Sequence, residues 1–364
     1  MHIERLAVRE FRNYDHAELE PASEGVTVLE GPNGSGKTNL LEAAVYLSVL
    51  RSFRGATPPL LVKVGQGQSF LRARAWRQGR LLELESEILS SGRGRLRRNG
   101  QIVRRSEDFV GQLLTTVFSP DDIGMVKGGP QGRRDFLDSM LAALSAKHVA
   151  TMSELERGLR QRNALLRAAG GALRPGMEKL LDVWDAKVAE AGEMLVEARE
   201  SLVASLEPEV ERSYAALGGQ EGVHLRYERS WDGELLRALV ECRQDDVRRG
   251  VTGAGPQRDD LQLLLGGLAA RSQASQGQQR SLALAMRLGG HALVTARQGS
   301  SPVLLLDDVF SELDPARSAA LAACLPAGQA LLTTAGPVPR GLEVAKAFSV
   351  SAGAVAGPGH LLAQ

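Results

Sequence analysis

The eight residues Gly31 to Thr38, Gly-Pro-Asn-Gly-Ser-Gly-Lys-Thr, constrain this chain more than any other stretch. They match the phosphate-binding pattern G-x-x-x-x-G-K-[ST], which requires a strand before it and a helix after it. Both flanks are present: Val26 to Glu30 reads as a short buried strand, and Asn39 to Leu47 has the period of an amphipathic helix. The glycines let the backbone turn its N–H groups inward around phosphates, and the helix N-terminus adds partial positive charge. On this reading Gly31, Pro32, Asn33, Gly34, Ser35, Gly36, Lys37, Thr38 and Asn39 form an ATP site. Lys37 reaches the β- and γ-phosphates, and the Thr38 hydroxyl ligates Mg²⁺. An ordinary glycine-rich turn would need neither the Lys-Thr pair nor both flanks.

Composition sets the frame. The chain has 364 residues, 43% of them hydrophobic, enough for a sizeable core. No apolar run approaches the roughly 20 residues of a membrane span, and Met1 to Arg5 lacks a signal peptide's apolar region. A cytoplasmic location is therefore expected. The net charge is +1, so any footprint for a polyanion must be local. Cys242 and Cys324 lack metal-ligand spacing and read as reduced, structural residues.

Periodicity divides the chain into three parts: residues 1–132 with the phosphate loop, a helical arm at 133–218, and residues 219–364. Ile3 to Val8 alternates as a strand, and Ser69 to Leu89 alternates in two pieces about Gln78-Gly79. Asn99-Gly100 is a type I′ hairpin signal, and Arg93, Arg95, Arg97, Arg98, Arg104 and Arg105 surround it without an acidic neighbour. Two readings stand side by side. Arg93, Arg95, Arg97 and Arg98 contact a DNA backbone, or they keep an exposed sheet edge from pairing with other sheets. From Arg133 to Leu217 the pattern is helical with one break, at Ala169 to Gly176, which predicts two long antiparallel helices, the second kinked near Pro208. Ala330 to Thr334 reads as the last core strand, and the tail after Gly353 as poorly ordered.

Two further motifs complete the chemistry. Val303 to Asp308 is an apolar strand delivering two carboxylates at its carboxyl end, where open α/β sheets place ligands. Asp307 is the candidate for the Mg²⁺ shell, and Asp308 the candidate to orient attacking water, with Lys37 as the other catalytic residue. The competing assignment is a helix N-cap pair. Ser275-Gln276-Gly277-Gln278-Gln279 opens a helix with a hydroxyl, a glycine and amides, a second anion-binding constellation. One phosphate loop has little use for two such sites in one molecule. The economical reading is that the second serves a nucleotide bound to another copy, in a head-to-tail, ATP-dependent homodimer.

Taken together these motifs resemble the ABC-type ATPase heads of the structural-maintenance-of-chromosomes kind, and among them the RecF family of bacterial recombination mediators. The resemblance spans nearly the whole chain. It is carried by Phe11-Arg12-Asn13-Tyr14, Gly31 to Ala43, Ser52-Phe53-Arg54, Lys127-Gly128, Arg133 to Asp138, Gly255 to Asp260, Ser275 to Arg280 and Leu304 to Asp314. It implies an α/β ABC-type ATPase head, with mixed and antiparallel sheets around a P-loop core and an inserted helical arm subdomain. It also implies that Ser275, Gln276, Gly277 and Gln278 act as the signature motif in trans, and that Ser311 to Asp314 couples the two sites. Thr334 falls where transporter ATPases keep a switch histidine, and Asp308 where they keep a glutamate, which implies slow hydrolysis. Gln257 stands where many relatives have histidine, and its role is open. The implied function is ATP-dependent binding of duplex, single-stranded and gapped DNA in recombinational repair and the SOS response, supporting RecA loading with RecO and RecR. The alternative, an ABC transporter's ATPase subunit, fits poorly with the helical insertion and the missing histidine.

Overall fold

The computed structural model describes residues 1–173, 175–339 and 341–357. The alternation of the first hundred residues becomes an antiparallel sheet. β1 (His2–Phe11) turns into β2 (Tyr14–Leu19), β3 (Gly25–Glu30) ends at the phosphate loop, and helix α1 (Lys37–Val49) follows. β4 (Gln68–Arg77) and β5 (Arg80–Leu89) are the two alternating pieces, and β6 (Leu96–Arg98) and β7 (Gln101–Val103) flank the Asn-Gly turn. The sheet order is β2-β1-β4-β5-β6-β7. Its predicted turns carry the expected backbone: Gln78, Gly79, Asn99 and Gly100 all have positive φ, as two-residue I′ turns require.

A second sheet is built from distant segments. β8 (Thr115–Phe118) precedes the helices α2 (Pro130–Leu144), α3 (Ala146–Ala169) and α4 (Met177–Ala216). β9 (Val223–Glu228), β10 (Asp260–Leu265) and β11 (Leu268–Ala269) come next, then α5 (Gln276–Gln298), β12 (Val303–Asp307), α6 (Pro315–Cys324) and β13 (Gln329–Thr334). The chain closes with β14 (Val344–Ser351) and β15 (Ala354–Ala356). The order is β15-β14-β3-β13-β12-β8, parallel except at β15. β12 and β13 are buried at every residue, which is why they read as continuous apolar runs.

α1 packs among the apolar faces of both sheets. Leu40, Leu41, Ala44 and Leu47 join Leu6, Phe11 and Leu71 of the antiparallel sheet and Leu29, Leu305 and Leu331 of the parallel one. Burial on nearly every side corrects the amphipathic reading of this helix. The sheets are also tied through one buried amide. Gln329 Oε1 accepts the Ile3 N–H at 2.7 Å, and its Nε2 donates to Ile3 O at 2.8 Å and Ala22 O at 2.7 Å.

Three other expectations need correction. The first arm helix is two helices, because Ser145 caps α3 by accepting the Lys147 N–H at 3.2 Å, a boundary marked by a single residue. β13 is not the last core strand, since β14 adds in parallel beside β3. Its alternation of small and polar residues hid it. Residues 354–356 pair as β15 rather than fraying, while residues 358–364, and Arg174 within the expected helix break, lie outside the described residues. α4 runs unbroken with Pro208 inside it. Among the described residues no helix is long and apolar enough to cross a membrane.

Contacts divide the chain into two compact units. One comprises residues 1–123, 209–220 and 280 onward, and contains both six-stranded sheets and α1. The other comprises 124–208 and 221–279, with α2, α3, α4 up to Pro208 and the three-stranded sheet β11-β10-β9. This second unit is organised around Arg162, which is fully buried. Its guanidinium donates to Asp185 at 2.5 Å, Asp246 at 2.6 Å, Thr252 Oγ1 at 2.9 Å and Leu239 O at 3.2 Å. Removing one partner of a buried ion cluster strands the others. Arg162→Met should therefore cost about 3 kcal/mol or more, read as a lowered urea midpoint of the helical circular dichroism signal. An unchanged midpoint would mean that Asp185 and Asp246 are satisfied without Arg162.

Candidate nucleotide-binding site

The phosphate loop spans the carboxyl end of β3 and the first turn of α1. Two of its three glycines are required by close approach. A Cβ on Gly31 would lie 2.1 Å from Val350 O, and one on Gly36, at φ +113°, 2.6 Å from Asn13 Nδ2. The Lys37 ammonium donates to two carbonyls of its own loop, Gly31 O at 2.7 Å and Pro32 O at 2.9 Å. Burial lowers its pKa, and the carboxylates of Asp308 and Asp307 act in the opposite direction. The loop and the Lys37 side chain border a pocket of about 260 Å³ lined by Asn33, Thr38, Asn39, Arg54, Asp308 and Thr333 among others.

The acidic strand meets the loop here. Asp307 Oδ1 accepts hydrogen bonds from Thr38 Oγ1 at 2.7 Å and from Thr333 Oγ1 at 2.8 Å. The Asp308 N–H donates to the same Thr333 hydroxyl at 3.0 Å. Asp308 itself sits in the left-handed region at φ 48°, ψ 26°, a conformation that costs a non-glycine residue about 1 kcal/mol and turns its carboxylate into the pocket wall. Burial raises the Asp307 pKa, and the Thr38 and Thr333 hydrogen bonds work against that rise. Among the described residues no group of three or more His, Cys, Asp or Glu side chains could hold a metal alone. The residues nevertheless fit Mg²⁺, which takes hard oxygen donors and is usually bound by one or two carboxylates plus substrate phosphates and water. A hydroxyl and a carboxylate 2.7 Å apart, beside a cradle in which Ser35 Oγ is buried without a hydrogen-bond partner, meet that description.

Two contributors were not assigned from the sequence. Arg54 lines the pocket and acts to lower the Asp307 pKa; the signal was its place in the Ser52-Phe53-Arg54 motif. Thr333 joins both aspartates, with no signal except position on a core strand. The neighbouring Thr334 hydroxyl is taken up by Gly336, accepting its N–H at 3.1 Å and donating to its carbonyl at 3.0 Å.

The SQGQQ residues do not line this pocket. Ser275 and Gln278 form a reciprocal cap at the start of α5: Gln278 Oε1 accepts the Ser275 N–H at 2.7 Å, and Ser275 Oγ accepts the Gln278 N–H at 3.3 Å. Gln278 Nε2 also donates to Glu221 at 2.6 Å. The cap presents Gln276 and Gly277 in the helix's first turn, where N–H groups are unsatisfied. Arg280 binds the carboxylate of Glu312 at 2.9 Å, and Asp314 caps α6 by accepting the Arg317 N–H at 2.9 Å, which holds the Ser311 to Asp314 loop. Two other motifs pair with each other. Arg133 makes a bidentate contact with Asp260 at 2.7 and 2.9 Å, and Arg134 donates to Asp259 O at 2.6 Å. Gln257 folds back on Ala254 O at 2.8 Å.

The basic hairpin lies at the edge of the antiparallel sheet. Arg95 stands 3.8 Å from Glu87, Arg97 is in register with Glu85, and Arg98 donates to Asp108 O at 3.0 Å. Arg93 reaches Arg104 O at 3.4 Å. Part of the charge that is uninterrupted in sequence is compensated in space by the neighbouring strand.

Asp307 gives a pH-dependent outcome. A carboxyl whose pKa is raised by folding binds more protons folded than unfolded, so its ionisation subtracts stability as pH rises from the ordinary carboxylate range through the raised value. Asp307→Asn keeps an oxygen acceptor for both threonines and removes that loss. Without nucleotide it should melt higher than wild type at pH 7, the gap closing under acid conditions, while stabilisation by Mg²⁺ with nucleotide disappears. A lower melting temperature at pH 7 would show that the charged carboxylate stabilises the fold.

Known proteins bear on this geometry. The family described as RecF/RecN/SMC N terminal domain matches residues 2–333. The DNA replication and repair protein RecF of Acidothermus cellulolyticus is 40% identical over 96% of this chain and 98% of its own. That of Streptomyces avermitilis is 40% identical over 98% and 99%. A solved structure of the recombination mediator protein RecF with ATP, from the RecFOR pathway, superposes with a TM-score of 0.89 at 29% identity, over 98% of both chains. The Smc head domain from Pyrococcus furiosus, at 14% identity and a TM-score of 0.55, shares the fold. An ATPase-head fold with this loop, this acidic strand and this inserted arm, matched end to end, makes the chain a member of the RecF family.

Proposed function

We propose that this protein is an ATP-dependent DNA-binding protein of recombinational gap repair. The observation that carries the reading is the 2.7 Å hydrogen bond between Thr38 and Asp307, which joins a phosphate loop to an acidic strand 269 residues away. The related RecF structure with ATP supports ATP as the nucleotide. Thr38 and Asp307 are the residues that would hold Mg²⁺, which supplies charge neutralisation for the β- and γ-phosphates when bound. Lys37 leaves its loop carbonyls for those phosphates, and Asp308 orients the attacking water from its strained position. A threonine at 334, already engaged with Gly336, offers no imidazole to assist, which supports slow hydrolysis; on this reading DNA stimulates it.

Ser275, Gln276, Gly277 and Gln278 serve the nucleotide of a second copy in a head-to-tail homodimer. Their reciprocal cap supports this, because it leaves a helix N-terminus prepared for an anion and no phosphate loop of the same pocket uses it. ATP closes the dimer, the closed dimer clamps DNA near a single-strand to duplex junction, and hydrolysis opens it. The RecFOR pathway named for a solved relative supports partners of the RecO and RecR kind; on this reading the protein aids RecA loading in the cytoplasm.

Two outcomes test the reading. Ser275→Arg should leave the ATP affinity of the single protein within a few-fold of wild type while abolishing ATP-driven self-association in sedimentation experiments. A variant that still dimerises with ATP contradicts the trans site. Replacing Arg93, Arg95, Arg97 and Arg98 with glutamine should weaken duplex binding and flatten its salt dependence, since each lost phosphate contact removes about 0.9 from the logarithmic slope. An unchanged slope assigns the hairpin to edge protection alone.

A further inference from the structure

We propose that Asn13 is a positioning residue for the phosphate loop, and that the turn joining β14 to β15 supports the loop from its other flank. The inference rests on the nucleotide reading of the pocket. Neither Asn13 nor Gly353, the residue in that turn, lines the pocket, so both act through residues that do.

The Ser35 carbonyl is the point of attack. It accepts two hydrogen bonds from outside the loop, from Asn13 Nδ2 at 3.0 Å and from the Gly353 N–H at 3.2 Å. In a trans peptide the carbonyl and the following N–H point in opposite directions. Pinning the Ser35 carbonyl outward therefore aims the Gly36 N–H into the cradle where a phosphate oxygen sits. The same Asn13 side chain accepts the Asn39 amide at 2.8 Å through Oδ1, and Asn39 Oδ1 in turn accepts from Arg54 at 3.4 Å. One amide thus sets a loop peptide, a side chain in the first turn of α1, and the guanidinium beside the aspartates.

Asn13 can do this because its own turn is immobilised. Arg12 has φ 55° and makes two 2.7 Å hydrogen bonds to Glu42, whose side chain is fully buried. Its N–H also donates to Leu61 O at 2.9 Å. On the far flank, Ala352 and Gly353 have φ 47° and 78°. A Cβ on Gly353 would lie 2.6 Å from Asn13 O. Two segments some 340 residues apart therefore meet across one loop carbonyl (Gly353 to Asn13).

Asparagine-to-aspartate replacement separates positioning from packing. The ionised carboxylate of Asn13→Asp has no proton to offer Ser35 and opposes its carbonyl, whereas the protonated form donates an O–H in place of the amide N–H. Binding of a fluorescent ATP analogue to the full chain with Mg²⁺ should be about tenfold or more weaker than wild type at about pH 8, and the ratio should begin to shrink towards about pH 5.5, because the Ser35 carbonyl facing the carboxyl favours its protonated form and raises its pKa above the ordinary range of about 4. Gly353→Ala should weaken binding similarly with no recovery at low pH. Wild-type affinity for Asn13→Asp at the higher pH, or a ratio that does not change with pH, would overturn the proposal. Wild-type protein that fails to bind the analogue would overturn the nucleotide reading and this proposal with it.

Discussion

The hydrogen bond from Thr38 to Asp307 is the contact on which the site depends. A charge-assisted bond of this kind contributes about 1.5–3 kcal/mol, modest against the whole fold, but its position matters more than its size. It fixes the first turn of α1 against the end of β12, and through Thr333 it fixes β13 and the backbone of Asp308 as well. The parallel order β3-β13-β12 brings the phosphate loop and the acidic residues to the same carboxyl end of the sheet. Burial makes the Asp307 charge unfavourable until a cation answers it. The site is less stable alone than when loaded, a common arrangement where function requires an unneutralised group.

Other parts of the same unit hold that end of the sheet. The antiparallel sheet covers α1 on its other side, so the helix carrying Lys37 and Thr38 has almost no exposed surface. The turns at Asn13 and Gly353 hold the loop from either flank. In the other compact unit, buried arginines lie among the apolar side chains: Arg162 with two aspartates, Arg199 with Asp138, Tyr227 and the Pro256 carbonyl. Such clusters fix one arrangement of helices because each misplacement leaves a charge unpaired.

Much of this was legible in the sequence, for identifiable reasons. The phosphate loop, the acidic strand and the two-residue turns at Gln78-Gly79 and Asn99-Gly100 announce themselves because each demands residue types that few other conformations tolerate. Ser145 divides a helix with one hydroxyl, too slight a signal to outweigh helical periodicity on both sides. β14 was hidden because its small and polar residues lack the apolar run of a central strand. Arg54 and Thr333 reach the site through the fold; Arg54 is marked only by its place in the Ser52-Phe53-Arg54 motif, and nothing local distinguishes Thr333. The arginines of the hairpin carry a different lesson: Glu85 and Glu87, on the preceding strand, are in register with Arg97 and close to Arg95. Charge density along a chain is not charge density on a surface.

The central claim is that the loop from Gly31 to Thr38 is one half of a shared site, closed by a second molecule when ATP is bound. Sedimentation velocity of the wild-type protein, titrated with ATP in the presence and absence of Mg²⁺, measures this directly. The account requires a monomer without nucleotide and twice that mass when Mg²⁺ and ATP are both present. A single mass under all conditions, with ATP demonstrably bound, would contradict it.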